Sequence, residues 1–163
     1  MILGLDISTS IIGVTIIDAN NKIVYNDGWD LRNKNIYSTI FLKAADIERQ
    51  IRELRSQYKI EKIYIEKSLQ VFRSGYSSAH TLSTLASFNG IVSWICYQIF
   101  NKSPEYIAAT SARKCCGIKV PRGQKAKQVV LQFLLDNEPS FEVTYTKHGN
   151  PKPDSYDKAD SII

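Results

Sequence analysis

The sequence predicts one α/β domain: a mixed five-stranded sheet flanked by helices on both faces. Three observations carry this. Two Ile/Leu/Val runs open the chain and an Ile-Val-Tyr run follows soon after, joined by tight turns, the pattern of an antiparallel meander. Beyond residue 36 the apolar spacing changes from the strand period to the helix period. From there, short apolar strands alternate with helical segments, the order that adds parallel strands to a sheet.

The first strand is read over 2–8 and the second over 11–18, both mostly Ile, Leu and Val, as expected of strands covered on both faces. Asn20-Asn21 supplies a turn into a third strand, Lys22 to Trp29. A helix is predicted over 36–58, where Ile40, Leu42, Ala44, Ala45, Ile47, Ile51 and Leu54 recur at helical spacing opposite Asp46, Glu48, Arg49, Arg52 and Arg55. Glu61 to Glu66 is a fourth, short strand. After a Ser- and Gly-rich loop, Lys67 to Ser78, a helix starts near Ser77 or Ser78 and runs to about Asn101. From Leu85 onward that helix is apolar nearly all round, so it needs cover on more than one side. A homodimer through residues 78–101 would supply the second cover. Glu105 to Ala109 is the fifth strand, and Thr110 or Ser111 caps a brief helix that Gly117 ends. A basic loop over 118–124 leads to an amphipathic helix, Lys125 to Asp136. Residues 137–153, with Pro139, Gly149, Pro151 and Pro153, form an exposed loop. Asp154 or Ser155 then caps a last helix that stops two turns in, at Ile163, as a helix cut short would.

At 163 residues, with 44% hydrophobic and 23% charged residues, the chain suits a single domain with one sizeable core. No apolar run reaches the roughly 18 residues a membrane span needs, and no basic region precedes the first apolar run. A cytoplasmic protein is expected. Cys96, Cys115 and Cys116 have neither the count of a disulfide framework nor the spacing of a zinc site. The net charge of +5 is segregated: Lys67 to Leu135 holds nine Lys or Arg against the single acid Glu105, so about +8, leaving −3 for the two ends. A basic middle between acid-bearing ends suits a polyanion held against a carboxylate centre.

Asp6 lies inside the first apolar strand, where a carboxylate is rare unless paired or bound to a metal. Glu66 closes the fourth strand, and both acids project at the same sheet edge if those strands are neighbours. Asp157 and Asp160, three apart on the last helix, share one face. Four carboxylates meeting at one point repel one another unless cations intervene, and such oxygen ligands suit Mg²⁺ or Mn²⁺. Two such ions about 4 Å apart activate water and stabilise the leaving oxygen of a phosphodiester. Read singly, Asp157 and Asp160 are helix first-turn acids and Glu66 a strand-end charge.

These motifs resemble those of the RuvC-like Holliday-junction resolvases, a branch of the RNase H-like nucleases, and in particular the short phage versions. Gly4-Leu5-Asp6-Ile7-Ser8-Thr9-Ser10-Ile11-Ile12-Gly13 is similar to the family's opening strand, with Ile7-Ser8 where the family has Pro-Gly. Tyr64-Ile65-Glu66 followed by Gln70-Val71-Phe72 resembles its second acidic motif, and Asp157-Lys158-Ala159-Asp160 its closing Asp-x-x-Asp. The match spans essentially the whole chain in the right order. It implies an RNase H-like fold, Asp6, Glu66, Asp157 and Asp160 as catalytic ligands of Mg²⁺ or Mn²⁺, and cleavage of branched DNA (four-way junctions, with forks and flaps) in recombination and repair. A phage-encoded chain would act in the bacterial host cytoplasm.

In the bacterial members an aromatic stands three residues after the second acid, whereas Phe72 stands six after Glu66. Phe72 is a candidate for stacking on a junction base, with Arg73 beside it for DNA contact. Arg113, Lys114, Lys119, Arg122, Lys125 and Lys127 fall within fifteen residues that contain no acid, and are read as phosphate contacts. Either Lys125 or Lys127 matches the family lysine that contacts phosphate near the cut; spacing does not choose between them. His80 and His148 are read as solvated or capping residues. Three rivals stand beside the resolvase reading. One is a branched-DNA-binding protein with inactive carboxylates. Another is an RNase H-like nuclease acting on hybrid or single strands. The third is the ATPase and sugar-kinase superfamily, which shares the strand-borne Asp6 and an acid at Asp18 but needs a longer chain.

Overall fold

The computed structural model describes residues 1–67 and 79–163; Phe72 and Arg73 lie outside the described residues. Three antiparallel strands come first: β1 (Ile2–Asp6), β2 (Ile11–Ile17) and β3 (Ile23–Asp30). Helix α1 (Ile40–Gln57) leads to β4 (Lys62–Glu66), which lies parallel to β1. Helix α2 (Ala79–Phe100) leads to β5 (Glu105–Ile107), parallel to β4. Helices α3 (Ala109–Cys115), α4 (Ala126–Asn137) and α5 (Pro153–Asp160) complete the chain. The sheet order is β3-β2-β1-β4-β5, so β1 is central and flanked by β2 and β4. This is the mixed five-stranded α/β sheet expected from the sequence.

Strand alternation divides the core in two. Leu3, Leu5, Ile12, Val14, Ile16, Ile63 and Ile65 point to one face and pack with Ile47, Ile51, Phe88, Val92 and Phe100 of α1 and α2. On the other face, α5 lies across β2 and β3 and packs against α4, where Val130, Leu131, Leu134, Phe141 and Ala159 form a smaller core. Ile47 and Ile51 are fully buried, and truncating either to Ala would cost about 2–5 kcal/mol. Among the described residues no helix is long and apolar enough to cross a membrane.

Several boundaries differ from expectation for local reasons. Thr39, not a residue near 36, caps α1, its side chain accepting from the Leu42 amide. β5 ends at Ile107, so α3 begins at Ala109, and Thr110 and Ser111 lie inside the helix rather than capping it. Pro153 starts α5 because its fixed φ suits the first helical position; Asp154 and Ser155 are therefore interior. α5 also ends sooner than predicted, at Asp160, where the Ser161 amide bonds back to the Asp157 carbonyl. The 137–153 segment is exposed as expected, yet closed on itself by a Tyr145–Pro151 bridge and anchored by buried Phe141. The Asn20-Asn21 turn forms as read: the Asp18 carboxylate accepts from the amides of Asn20 and Lys22 at 2.8 and 2.9 Å, and Asn21 adopts φ 60. Asp18 thus caps the turn through its Oδ1.

Candidate active site

Parallel pairing aligns Leu5 with Ile65, so the next residues, Asp6 and Glu66, end β1 and β4 side by side. Both leave the strands on the face covered by α5. Helical spacing then points Asp157 and Asp160 from α5 towards the same place. The seat for α5 is a row of glycines. Gly13 pairs with Asp6 on one side and with Gly28 on the other. A Cβ on Gly13 would overlap the Asp157 carbonyl, one on Gly4 the Ser161 carbonyl, and one on Gly28 would sit 3.0 Å from the Asp154 Cβ. Only glycine lets the helix backbone approach the sheet this closely, and that approach brings Asp157 and Asp160 within reach of Asp6.

A buried polar chain fastens the same helix. The Asn26 amide donates to Thr15 Oγ1 at 2.8 Å, Thr15 and Ser161 share a hydrogen bond of 2.7 Å, and Ser161 donates to the Lys158 carbonyl at 2.8 Å. Asn26 also donates to that carbonyl, at 3.2 Å. Every hydroxyl has a partner, so the chain adds specificity without an orphaned buried group. On the far side of Asp6, Ser8 holds the β1–β2 turn, accepting from the amides of Ser10 and Ile11 and donating to the Ile11 carbonyl. Lys43 of α1 donates to the Thr9 carbonyl. The Ile7-Ser8 sequence is thus a strand connection made by a side chain.

Three of the four acids converge on one cation, the ammonium of Lys127 in the first turn of α4. Its Nζ lies 2.8 Å from Asp157 Oδ1, 3.3 Å from Asp160 Oδ2 and 4.0 Å from Asp6 Oδ2. The side chains of Asp6, Asp157 and Asp160 are only 14%, 16% and 9% exposed. Burial, then the neighbouring charge of Glu66, pushes the Asp6 carboxyl up to about 8, against the pull of Lys127. Burial and the Asp160 charge raise Glu66; burial also raises Asp160, with Lys127 and Arg113 opposing. Burial alone would lower Lys127, but its hydrogen bond to Asp157 and the surrounding acids carry it above its ordinary value. Four carboxyls thus share one enclosed place with a single contacting ammonium, and burial favours the protonated forms of Asp6, Glu66 and Asp160.

Among the described residues, no three His, Cys, Asp or Glu side chains form a ready-made metal-ligand set. The donor chemistry nonetheless fits a hard divalent cation: all oxygen, clustered, mutually repelling and already gathered around a positive charge. Of the basic set, Lys127 enters the centre, and Arg113 of α3 is half-buried and near enough to pull down Glu66 and Asp160. Arg113, Lys114 and Lys119 line a neighbouring concavity of about 300 Å³. Arg122 and Lys125 are exposed, and Lys125 occupies the α4 cap position. Between the two lysines that spacing left open, only Lys127 touches the acids.

The fold is that of RuvC. Thermus thermophilus RuvC in complex with Holliday junction substrate superposes with a TM-score of 0.64 at 10% identity, over 99% of this chain and 88% of that one. A second Thermus thermophilus RuvC structure gives 0.59 at 12% identity, over 99% and 90%. The yeast mitochondrial Holliday junction resolvase Ydc2 gives 0.56 at 16% identity, over 98% and 73%. No family model matches the sequence, and no curated protein matches it. At these identities the likeness is one of fold.

Two features of the site escaped the sequence reading. The glycine row was readable in principle, since Gly4, Gly13 and Gly28 interrupt three separate strands. The Asn26–Thr15–Ser161 chain joins residues up to 146 positions apart, and no local signal announces it.

Proposed function

We propose that this protein is a Mg²⁺- or Mn²⁺-dependent endonuclease that cuts branched DNA, four-way junctions above all, as a homodimer. The observation that carries this is the convergence of Asp6, Asp157 and Asp160, from β1 and α5, on a single cationic centre beside Glu66. Asp6, Glu66, Asp157 and Asp160 would hold the metal, which supplies an activated water and charge stabilisation at the leaving oxygen. The protein's own residues do the rest. Arg113, Lys114 and Lys119 bind the phosphodiester backbone and set its register at the acids. The walls of α5 and the sheet keep the carboxylates poorly hydrated, so each electrostatic contact with the scissile phosphate is stronger than in water.

Support for the substrate class comes from RuvC, whose structure with a Holliday junction shares this fold over nearly the whole chain. Support for the dimer comes from α2, where Trp94 is 59% exposed and stacks on exposed Tyr97, at 5.7 Å between ring centroids. Ser83, Ser87 and Gly90 continue that exposed face, a shallow surface against which a second copy's aromatics can pack. Paired active sites would then nick two strands symmetrically.

The decisive experiment compares wild type with Asp6→Asn on labelled four-way junctions, forks, RNA–DNA hybrids and single strands. Wild type should cut junctions with Mg²⁺ and not with EDTA; Asp6→Asn should bind the junction and leave it intact. Binding without any metal-dependent cutting by wild type would favour the non-catalytic reading. Preferential cutting of hybrids would move the protein to another branch of the fold.

A further inference from the structure

We propose that Lys127 is a built-in counter-ion of the carboxylate centre, standing where a divalent cation would sit and displaced from it when metal binds. This rests on the metal-centre reading above. The ammonium is held by Asp157 and Asp160 at 2.8 and 3.3 Å, with Asp6 at 4.0 Å. Its side chain is nevertheless 55% exposed, so little of it is packed against the protein. A lysine stem has four flexible carbons, and the head can leave without disturbing α4.

Electrostatics make the two occupants exclusive. A divalent ion touching Asp157 and Asp160 would lie within a few ångströms of Nζ, where like charges repel strongly in a poorly hydrated site. The ion carries twice the charge of the ammonium and so offsets more of the charge of the carboxylates that converge there. Metal binding to the DNA-free protein must therefore overcome the Lys127 contacts. Lys127 thus offsets the mutual repulsion of the acids in the metal-free protein and leaves them when metal loads.

The test is titration of Mn²⁺ alone into DNA-free wild type, Lys127→Met and Lys125→Met, followed by calorimetry. Lys125 is the matched control, losing the same charge two residues away without contact to the acids. Lys127→Met should bind Mn²⁺ roughly tenfold tighter than Lys125→Met, the equivalent of one partly buried ion pair. In EDTA, Lys127→Met should also melt a few degrees below Lys125→Met, and saturating Mn²⁺ should abolish that difference. Equal or weaker Mn²⁺ binding by Lys127→Met overturns the proposal and leaves the metal centre standing. Absence of Mn²⁺ binding in all three proteins at millimolar metal removes the metal-centre reading and the proposal with it.

Discussion

Asp6 should make the metal-free protein less stable as the pH rises from 4 to 8, the opposite of what a salt-bridged carboxylate does. In the folded protein its carboxyl is pushed up from 3.8 to about 8, first by burial and then by the Glu66 charge. Between those values the folded chain keeps a proton that the unfolded chain has released. Stability is then complete below about pH 4 and is lost as pH climbs through about 8. Some four pH units at about 1.4 kcal/mol each set a ceiling of about 6 kcal/mol. The side chain is 14% exposed, so water reaches part of the charge, and we expect about 2–3 kcal/mol to be realised. For a chain of this size that is a drop in Tm of roughly 5–10 °C. Glu66 and Asp160, also raised, act in the same sense. Asp18 and Asp30 are held low by hydrogen bonds and change only in more acid solution. The assay is denaturant unfolding in EDTA from pH 4.5 to 8.5, for wild type and Asp6→Asn. The variant should show a flatter profile and exceed wild type in stability at pH 8.5. Parallel profiles for the two proteins would refute the reasoning.

Three further outcomes follow from the same geometry. Gly13→Ala forces a Cβ into the Asp157 carbonyl; it should destabilise by about 1–3 kcal/mol and reduce cleavage at least about 100-fold by lifting α5 from Asp6, measured by thermal melts and nicking rates. Thr15→Val keeps the shape of a fully buried side chain but breaks the chain from Asn26 to Ser161; chemical denaturation should show a loss of about 1–3 kcal/mol. Trp94→Glu places a charge in the exposed aromatic face of α2 and should shift the protein to monomer in sedimentation while leaving its far-UV spectrum unchanged.

The strand and helix order was legible from two kinds of signal: Ile47, Ile51 and Leu54 repeat with the turn of α1, and the first strands are short Ile/Leu/Val runs set off by turns. The acids were legible for a different reason. A carboxylate in an apolar strand demands a partner, and Asp157 with Asp160 supplies a matching pair at helical spacing. Caps were misplaced at α3 and α5 because Ser, Thr and Asp cap well anywhere near a helix start, whereas the actual start depends on where the preceding strand or proline ends. Lys127 could not be separated from Lys125 by spacing. A helix rotates 100° per residue, so two positions put those side chains on nearly opposite faces, and only the packing of α4 on α5 selects one.

That packing also explains why α5 is held by glycines and hydroxyls as well as by a hydrophobic stripe. An eight-residue helix bearing Asp154, Asp157 and Asp160 has little apolar surface to bury, with Ala159 and Tyr156 its main contributions to the smaller core. A short helix is not stable alone, and the acids it carries repel Asp6 and Glu66. Close backbone contact over Gly4, Gly13 and Gly28 supplies dispersion that bulky side chains would prevent. The Asn26–Thr15–Ser161 chain then fixes the helix register, because sliding α5 by one residue would strand a buried hydroxyl. The site's electrostatic strain is thus offset by an attachment specific to one register of α5, the register in which Asp157 and Asp160 both face Asp6.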